Sequence, residues 1–487
     1  MSNLLNIGVT GLLASKKSLE TTGHNISNAN TEGYSRQRVH QTTGIPIAKQ
    51  GLVQGTGTRV NSISRVHDQF IEKRLNLNIS NNNYYKARTD QLSQVEDIFN
   101  EIDGDGLNQI LNKFYNSFRE LGNQPENETI RSVVRDNANL VVKDFKRIRE
   151  TLDGLSSNID SRITGEITDI NDNLKRISNI NKKIAQLEAL GDETGDLRDQ
   201  RDMAIRGLSE SFQIHTYSDN RGNFIVNAVG VGTLVSGGNT QELAAGSLSE
   251  DKSSNNMAGS VEIYFKSRPS QPITKNFKNG RLTSLVRTRN EDIQDLQKKT
   301  DDIAYEFGMT VNAVHRRGYV QRPIAVDAAG NPAAFDKQGP TTGIDFFNVP
   351  VERKNASKNL KLSNDVMNDL SNIATGLAPN SPGDNRVALG ISKLQHERIM
   401  DGGTSTLEEH YLQTIGGIGL ESGKAQLDHE QSDGILAQTI NLKERLSGVS
   451  IDEEAANMVR YQHAYDASAK VMQTANEMFD TVLSIKR

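Results

Sequence analysis

The sequence contains no cysteine and no tryptophan among its 487 residues, and only 5% of the residues are aromatic. The lack of cysteine excludes disulfides, zinc sites with thiolate ligands and cysteine nucleophiles. It also suits a chain that leaves the reducing cytosol, because no thiol can be trapped by oxidation. Hydrophobic residues make up 35% of the sequence, and even with the 40 glycines the apolar share falls slightly below the usual value. We therefore expect thin cores between elongated helices instead of one compact, enzyme-like globule.

A strong charge of either sign is also absent. The 56 Lys and Arg residues face 61 Asp and Glu residues, for a net charge of −5, so nothing predicts a broad attraction to nucleic acid or anionic lipid. We interpret the short basic run His315-Arg316-Arg317 as a solvated helix end. The sequence has no stretch that resembles a transmembrane span. Its start is not a secretory signal, because Lys16 and Lys17 follow the short apolar run, and any export is expected to occur without a cleaved signal peptide.

Both ends of the chain carry apolar residues at heptad spacing. The N-terminal set, with the small residues Gly8, Ser15 and Thr22 between its members, is Leu5, Leu12, Leu19 and Ile26. The C-terminal set, in a segment that opens with the capping-box pair Ser450 and Glu453, is Met458, Tyr465, Met472 and Phe479. Such repeats predict coiled-coil-like seams, and the small residues allow a neighbouring backbone to come close. Because a short isolated helix is marginal in water, we predict that the two ends pair.

Between the ends, most of the chain has helical periodicity. One stripe predicts an arm of a long bundle, with weak points at Gly154 and Gly165, and consists of Ile163, Ile170, Ile177 and Ile184. Residues 208–281 instead alternate with a period of two and turn at residues 220–223, which predicts a hairpin-rich β insert. "GRLTSL" (280–285) is assigned to the same register. Residues 320–382 are rich in Pro, Gly and Asn and contain only short strand patterns.

These patterns predict a multidomain, mainly α fold. Paired, coiled-coil-like terminal helices and a long helical bundle carry inserted β-rich outer parts. We expect residues 1–60 with 446–487 to form an inner terminal-helix domain. A helical bundle domain comprises residues 61–207 with 282–319 and 383–445. Residues 208–281 form a β-rich outer domain, and residues 320–382 form an irregular insert.

Motifs for catalysis, cofactors or metals are missing from the sequence. The nine histidines show no HxxxH or HExxH spacing, and there is no Walker or GxSxG motif. "LRDQRD" (197–202) packs two Asp and two Arg into six residues and is interpreted as an ion-pair network or as helix-end structure. We therefore expect a protein that is not an enzyme and that holds neither cofactor nor metal.

The stretch "NISNANTEGYSRQ" (25–37), which follows a short amphipathic helix, resembles the signature of bacterial flagellar axial proteins, a family of rod, hook and hook-associated proteins. Its ending "YSRQ" (34–37) is more similar to the hook-associated proteins than to the rod or hook proteins. The C-terminal segment 447–483 resembles the terminal helix of the same family. Further similarities are "FYNSFRELGNQPENETIRSVV" (114–134), "LRDQRD" and "VNAVHRRGY" (311–319). Glu32 departs from the family pattern, which often has Pro at that position.

This resemblance implies a structural protein of the flagellum at the junction between hook and filament, exported unfolded through the flagellar type III apparatus. It implies self-association in a ring-like or helical layer of about eleven subunits, as head-to-tail contacts between copies produce. Hook protein would lie on one side of the layer and hook-associated protein 3 on the other. An export chaperone would bind the C-terminal region. The two terminal seams would form the assembly interface.

We further hypothesise that the signature loop, residues 25–37, sets the angle between the inner domain and the bundle domain. Its expected contact and turn residues are Asn25, Ser27, Asn28, Asn30, Gly33, Tyr34 and Arg36. Two alternatives remain at this point. One is another axial protein of the hook or rod type, and the other is a secreted adhesin or enzyme carried on coiled-coil ends, with a site in 208–281 or 320–382.

Overall fold

The computed structural model describes residues 2–49, 52–99, 106–191, 193–246 and 261–485. Helices dominate this part of the chain, which confirms the predicted fold class. In chain order they are α1 (Ser2–Ser27), α2 (Gln69–Phe99), α3 (Leu107–Asn123), α4 (Glu128–Ala189), α5 (Gly195–Ser211), α6 (Gly280–Arg287), α7 (Ile293–His315), α8 (Ala356–Asn359), α9 (Asn364–Asn368), α10 (Arg386–Lys393), α11 (Leu407–Ser447) and α12 (Ile451–Ile485). None of the described helices is long and apolar enough to cross a membrane.

The strands form small antiparallel sheets between the helices. Those before α2 are β1 (Gln37–Thr43), β2 (Ile47–Lys49), β3 (Leu52–Gln54) and β4 (Thr58–Arg65). Those after α5 are β5 (Ile214–Ser218), β6 (Phe224–Ala228), β7 (Gly232–Ser236), β8 (Asn239–Thr240), β9 (Leu243–Gly246) and β10 (Glu262–Phe265). Two-residue strands follow α7: β11 (Phe335–Asp336), β12 (Gly339–Pro340), β13 (Phe347–Asn348) and β14 (Lys361–Leu362). The largest sheet is the meander β5-β6-β7-β8, whereas β1 pairs with β4, β2 with β3 and β9 with β10.

The two ends of the chain pair, as the heptad repeats predict. α1 packs against α12 in antiparallel orientation, since Gly8 and Gly11 lie against Met472 and Ser468 while Asn25 bonds to Glu454. The strand pair β1–β4 lies beside α1. The strand pair continues to Arg65, whereas the sequence pattern predicts that this part of the inner domain ends at residue 60.

The outermost helix of the body is α11, which packs along α2. The two helices are antiparallel: Asn78 Nδ2 donates to Thr439 Oγ1 at 2.8 Å, and Arg88 pairs with Glu421 at 3.0 Å. A capping box at the start of α11 satisfies free backbone groups there, because Thr406 and Glu409 each bond to the other's backbone N–H.

The longest helix, α4, spans 62 residues, about 93 Å at ~1.5 Å per residue. α5 folds back on its C-terminal half, where Arg201 donates to Asn181 Oδ1 at 3.3 Å. The other side of α5 meets the start of α2, and Glu72 pairs there with Arg206 at 2.8 Å. α5 therefore ties the start of α2 to the C-terminal half of α4.

Further along α2, a second tie reaches the middle of α4. Arg88 bonds to Asp292 in the π-helical turn Thr288–Asp292, and Arg289 of that turn pairs with Asp160 of α4 at 2.8 Å. The start of α2 thus lies near the C-terminal half of α4, and Arg88, further along α2, lies near the middle of α4. The two helices therefore run antiparallel. Since α11 is antiparallel to α2, α11 and α4 run in the same direction.

An aromatic cluster fills the core where α3, α4 and α7 meet. Phe114 is fully buried, and its ring centroid lies 5.1 Å from that of Phe118 and 5.2 Å from that of Phe307. Phe346 and Phe347, from the segment that enters β13, complete the cluster. Edge-to-face contacts of this kind add to the free energy gained by burial.

Three sequence predictions need correction or qualification. "GRLTSL" is wrong as a strand: residues 280–285 begin α6, since Leu282, Leu285 and Val286 are buried on one side of a helix that packs against α2. Gly154 and Gly165 do not interrupt α4. The less regular helical stripes predicted over residues 386–445 form α10 and α11, with a short 3₁₀ turn and a loop between them. Residues 247–260 of the predicted β insert lie outside the described residues.

The prediction of a solvated helix end at 315–317 is wrong for His315. This residue is 0% exposed, its Nδ1 bonds to the Ile344 carbonyl at 2.8 Å, and its Nε2 accepts the Ala374 N–H at 2.9 Å. Burial lowers the pKa of His315 from 6.5 to about 4, and nearby Arg131 acts in the same direction, against the hydrogen bond to Ile344 and the charge of Asp345. The imidazole is therefore a neutral core group.

The free energy of unfolding is expected to fall as the pH drops below about 6.5, by ~1.4 kcal/mol per pH unit and roughly 3 kcal/mol in all by pH ~4. The folded state keeps His315 neutral, so the unfolded state binds a proton that the folded state does not. Urea titrations of the full chain at pH 7 and pH 5 measure this effect. His315→Asn should have a smaller pH dependence at lower overall stability, and the exposed-site variant His463→Gln should match the parent. An unchanged slope in His315→Asn would assign the effect to other groups.

Candidate functional site

The contact between α1 and α12 is made by small residues. A Cβ atom at Gly8 would lie 2.7 Å from Met472 Cγ and 3.4 Å from the Ser468 carbonyl oxygen, and one at Gly11 would lie 2.8 Å from Ser468 Oγ. Ser15 and Thr22 are buried as well. The predicted close approach is therefore confirmed at Gly8.

The larger seam residues flank this contact and stay partly exposed. Leu5 is 37% exposed and Phe479 is 55% exposed. The other members are half-buried: Leu12, Leu19, Ile26, Met458, Tyr465 and Met472. The single chain thus leaves apolar surface open along both sides of the helix pair. The role of these residues in assembly stays a prediction.

Asn25 is the central residue of the signature loop. It is 1% exposed, and its Nδ2 donates to the Gln37 carbonyl at 2.9 Å and to Glu454 Oε2 at 3.1 Å. Its Oδ1 accepts the Gln37 N–H at 2.9 Å and the Tyr34 hydroxyl at 2.8 Å. The side-chain amide of Asn25 therefore joins the end of α1, the start of β1 and the first turn of α12. Because a buried amide must keep all of these hydrogen bonds, it fixes the relative positions of the three elements.

The remaining loop residues shape the turn. Asn28 Nδ2 donates to the His24 carbonyl at 3.0 Å, and its Oδ1 accepts from Thr31. Gly33 has a φ of +80°, a conformation that residues with a side chain rarely adopt. Ser27 and Asn30 are exposed on the outside of the turn.

Arg36 connects the loop to α11 and α12. Its guanidinium pairs with Glu453 at 2.8 Å and with Glu454 at 2.7 Å, both in the first turn of α12. Its backbone N–H donates to the carbonyl of Ser447, the last residue of α11, at 2.9 Å. The two carboxylates also lie at a helix N-terminus, where the helix dipole favours negative charge.

The same loop docks onto the helical body through α5, whose first turns contain "LRDQRD". The Ser35 N–H donates to Asp199 Oδ2 at 2.9 Å, and Gln37 Nε2 donates to Asp196 Oδ1 at 2.7 Å. Arg65, at the end of β4, pairs with Asp199 at 2.7 Å and Asp202 at 2.6 Å. The ion-pair interpretation of this motif is confirmed: Asp199 and Asp202 pair with Arg65 of β4, and Arg198 pairs with Glu188 of α4.

Burial and nearby charges shift the pKa values of two side chains in this region, Tyr34 and Arg65. Burial raises the pKa of the Tyr34 hydroxyl, and the carboxylates of Asp196, Asp199 and Glu454 raise it further, so the hydroxyl keeps its proton and donates to Asn25. Burial alone would lower the pKa of Arg65, but Asp202 and Asp199 raise it overall. We call this set of contacts among the signature loop, β4, α5 and the first turn of α12 the joint.

A polar cleft of about 940 Å³ lies beside the joint, between the start of α2, the end of α4, α5 and the β5–β8 sheet. Charged residues that line the cleft form ion pairs with each other: Arg65 pairs with Asp202, and Arg198 pairs with Glu188. Arg201 stacks on the Phe224 ring at 3.7 Å, and burial lowers its pKa to about 10. Among the residues that the structure describes, no group of His, Asp and Glu could hold a metal ion. The arrangement is that of a structural connection.

The family model "Flagellar hook-associated protein FlgK helical domain" matches residues 92–332. "Flagella basal body rod protein" matches residues 5–34, and "Flagellar basal body rod FlgEFG protein C-terminal" matches residues 445–485. These last two ranges cover α1 with most of the signature loop and α12.

Relatives cover the whole length of the chain. Flagellar hook-associated protein 1 of Bacillus subtilis is 30% identical over 97% of this chain and 96% of its own length. The protein of the same name from Salmonella typhimurium is 24% identical over 100% of both chains. The flagellar hook junction protein FlgK of Burkholderia pseudomallei has a similar fold, with a TM-score of 0.62 and 14% identity over 77% of this chain and 100% of that one. The chain belongs to the flagellar hook-associated protein 1 family, and it is a structural protein of the bacterial flagellum.

Proposed function

We propose that this chain forms the layer that joins hook to filament, and that its paired terminal helices are the part that enters the layer. The observation that carries the proposal is the joint, which closes the two ends of the chain on each other and ties both to the helical body. Its relatives are named hook-associated and hook junction proteins. The apolar seam residues beside the α1–α12 contact remain open for neighbouring subunits.

In this proposal the chain works as four parts. Residues 1–60 with 446–487 form the inner domain, 61–207 with 282–319 and 383–445 the helical bundle, 208–281 the β-rich outer domain, and 320–382 the irregular insert. The signature loop sets the angle between the first two parts, since Asn25 and Arg36 bond to the first turn of α12, while Ser35 and Gln37 bond to α5 of the bundle. Gly33 permits the turn that brings these residues together.

The proposed partners follow the axial order of the flagellum. Copies of the chain form a layer of about eleven subunits by repeated head-to-tail contacts, with hook protein on one side and hook-associated protein 3 on the other. An export chaperone binds the C-terminal region before assembly. Large apolar side chains exposed on α12 support such a contact: Ile451, Val459, Met478, Phe479, Val482 and Leu483.

Antibody labelling of flagella in the electron microscope tests both parts of this proposal. In the parent strain, label is expected only at the boundary between hook and filament. Gly33→Val should yield hooks that lack filaments, because valine is strained at φ +80° and its Cβ would lie 2.4 Å from Met203 Sδ. Gly222→Val is the control, since Gly222 has the same φ in the β5–β6 turn, with no other group near its Cβ position.

The outcomes separate the two claims. Label along the whole hook or filament of the parent strain would contradict the junction layer. Normal filaments in Gly33→Val, with correct labelling of the parent, would remove the signature loop from the proposal and leave the junction layer intact. Secretion of each variant into the medium confirms that it is exported.

A further inference from the structure

Glycines on α11 are open in a way that most glycines of the other described helices are not. For Gly416, Gly417, Gly419, Gly423 and Gly434, no group of the described chain outside the local helix backbone lies within 4 Å of the position a Cβ atom would take. On the other helices the chain fills most such spaces itself, since Gly122 lies against Leu389, Gly308 against Val349 and Gly8 against Met472, whereas those at Gly23, Gly154 and Gly165 are open. Glycine weakens a helix interior relative to alanine, so nothing within the described chain accounts for its repeated use on α11.

Some of these glycines belong to a regular exposed seam. Alternate steps of four and three residues along the outer side of α11 connect Gly416, Leu420, Gly423, Leu427, Glu430, Gly434 and Ala437. Leu420 is 79% exposed and Leu427 is 68% exposed. The buried residues Ile418, Ala425 and Ser432 lie on the opposite side, against α2. We call this set the α11 seam.

A second exposed seam lies on α4. Val133, Leu140, Arg147 and Gly154 follow each other at heptad spacing on its outer side, and Val133 and Leu140 are 42% and 45% exposed. The Cβ position of Gly154 is open as well. We call these four residues the α4 seam. Since α4 and α11 run in the same direction within the chain, copies that share one orientation present the two seams to each other in parallel.

In parallel alignment the seams complement each other residue by residue. When Val133 lies beside Gly416, the heptad spacing also sets Leu140 beside Gly423, Arg147 beside Glu430 and Gly154 beside Ala437. Two apolar side chains thus enter the spaces left by two glycines, as knobs enter holes between parallel helices. A cation meets a carboxylate, and two small residues let the backbones approach.

The charges around the seams are complementary too. Lys143 and Lys146 flank the α4 seam, where Lys146 also pairs with Glu150 at 3.7 Å, and Asp428 lies beside the α11 seam. Arg147 is 53% exposed and pairs only with Asp144 of its own helix turn, at 2.7 Å, among the described ion pairs. Glu430 is exposed. The match of Arg147 with Glu430 favours approach of unlike seams.

We propose that the α11 seam of one copy docks on the α4 seam of the next copy, as a lateral contact that repeats around the layer. This inference rests on the proposed self-association of the chain. Because the two surfaces differ, the contact propagates instead of closing as a two-fold dimer. A seam of this length buries a few hundred Å² per partner, less than the ~800 Å² of a standard interface. It therefore forms only together with the terminal-helix contacts.

Cysteine cross-linking tests the contact and its register, since the natural chain has no cysteine. Leu140→Cys combined with Gly423→Cys is expected to give a ladder of dimers, trimers and larger species when isolated flagella are oxidised. Gly154→Cys with Gly423→Cys is the matched control, because both thiols lie on the same seams but two heptads out of register. Each single-cysteine variant should remain monomeric on a denaturing gel.

A ladder of equal strength in the control pair, or dimers only in the test pair, would contradict the proposed contact. Absence of cross-links in flagella whose junction carries the variant, as antibody labelling shows, would also overturn the contact while the proposed function stands. A parent protein that is absent from the junction would overturn both.

Alanine substitution gives a second test with opposite effects on folding and assembly. Gly416→Ala with Gly423→Ala should raise the melting temperature of the monomer and increase the fraction of filaments that detach from hooks under shear. Gly417→Ala, which lies off the seam, should raise the melting temperature without affecting detachment. Equal detachment in the two variants would contradict the proposal.

Discussion

Removal of residues 450–487 is expected to leave intact hooks without filaments, with flagellin released into the medium. The deletion removes α12, and with it the surface that covers Gly8, Gly11 and Asn25 of α1. An isolated helix of the length of α1 is marginal in water, so the terminal pair cannot form. Electron microscopy of the cells and an immunoblot of the medium for flagellin measure this result.

A full-length variant separates loss of assembly from loss of export. Gly8→Leu keeps the C-terminal region to which the chaperone is proposed to bind, but its Cβ would lie 2.7 Å from Met472 Cγ and 3.3 Å from the Met472 backbone nitrogen. We expect it to be secreted and to fail at the same step as the deletion. Normal filaments on cells that carry the deletion would contradict the assembly role of both terminal helices.

Phe114→Ala is expected to lower the free energy of unfolding of the helical body by ~3–5 kcal/mol, the usual cost of removing a buried phenylalanine. Phe114 is 0% exposed and contacts five aromatic neighbours in α3, α7 and the segment that enters β13. The loss is large against the ~5–15 kcal/mol that typically stabilises a domain. Urea unfolding of the purified chain, followed by circular dichroism, provides the measurement.

A phenylalanine outside the core serves as control. Phe70 is 73% exposed at the start of α2, and Phe70→Ala should change the free energy of unfolding by less than ~0.5 kcal/mol. The deletion of 450–487 should also leave the main unfolding midpoint in place, because the aromatic cluster makes no use of α12. Equal losses in Phe114→Ala and Phe70→Ala would show that the cluster does not dominate stability.

The pairing of the terminal helices could be predicted from the sequence because both ends carry the same seven-residue period. The identity of the contacting face could be predicted only in part. Small residues at Gly8, Ser15 and Thr22 indicated a close approach, and the structure shows it at Gly8. The exposure of Leu5 and Phe479 could not be predicted, since periodicity identifies an apolar face without identifying which molecule covers it.

The joint was harder to predict because its bonds connect distant parts of the chain. "LRDQRD" indicated ion pairs, but no local pattern connects Asp199 with Ser35 or Arg65. The strand pair β1–β4 was missed, although "QRVHQTT" and "TRVNSISR" alternate in the way that indicates strands. "GRLTSL" was assigned to a strand because it follows a β segment, and its burial against α2 decided for helix instead.

The bond between Asn25 and Glu454 joins residues 429 positions apart. Contacts of such high sequence separation form late in folding, because the chain between them must be ordered or looped first. The α3–α4 and α4–α5 hairpins use short separations and can form locally, ahead of the joint. Closure of the joint therefore requires both ends of the chain, so the bond between Asn25 and Glu454 marks a chain that has folded as far as its last described helix.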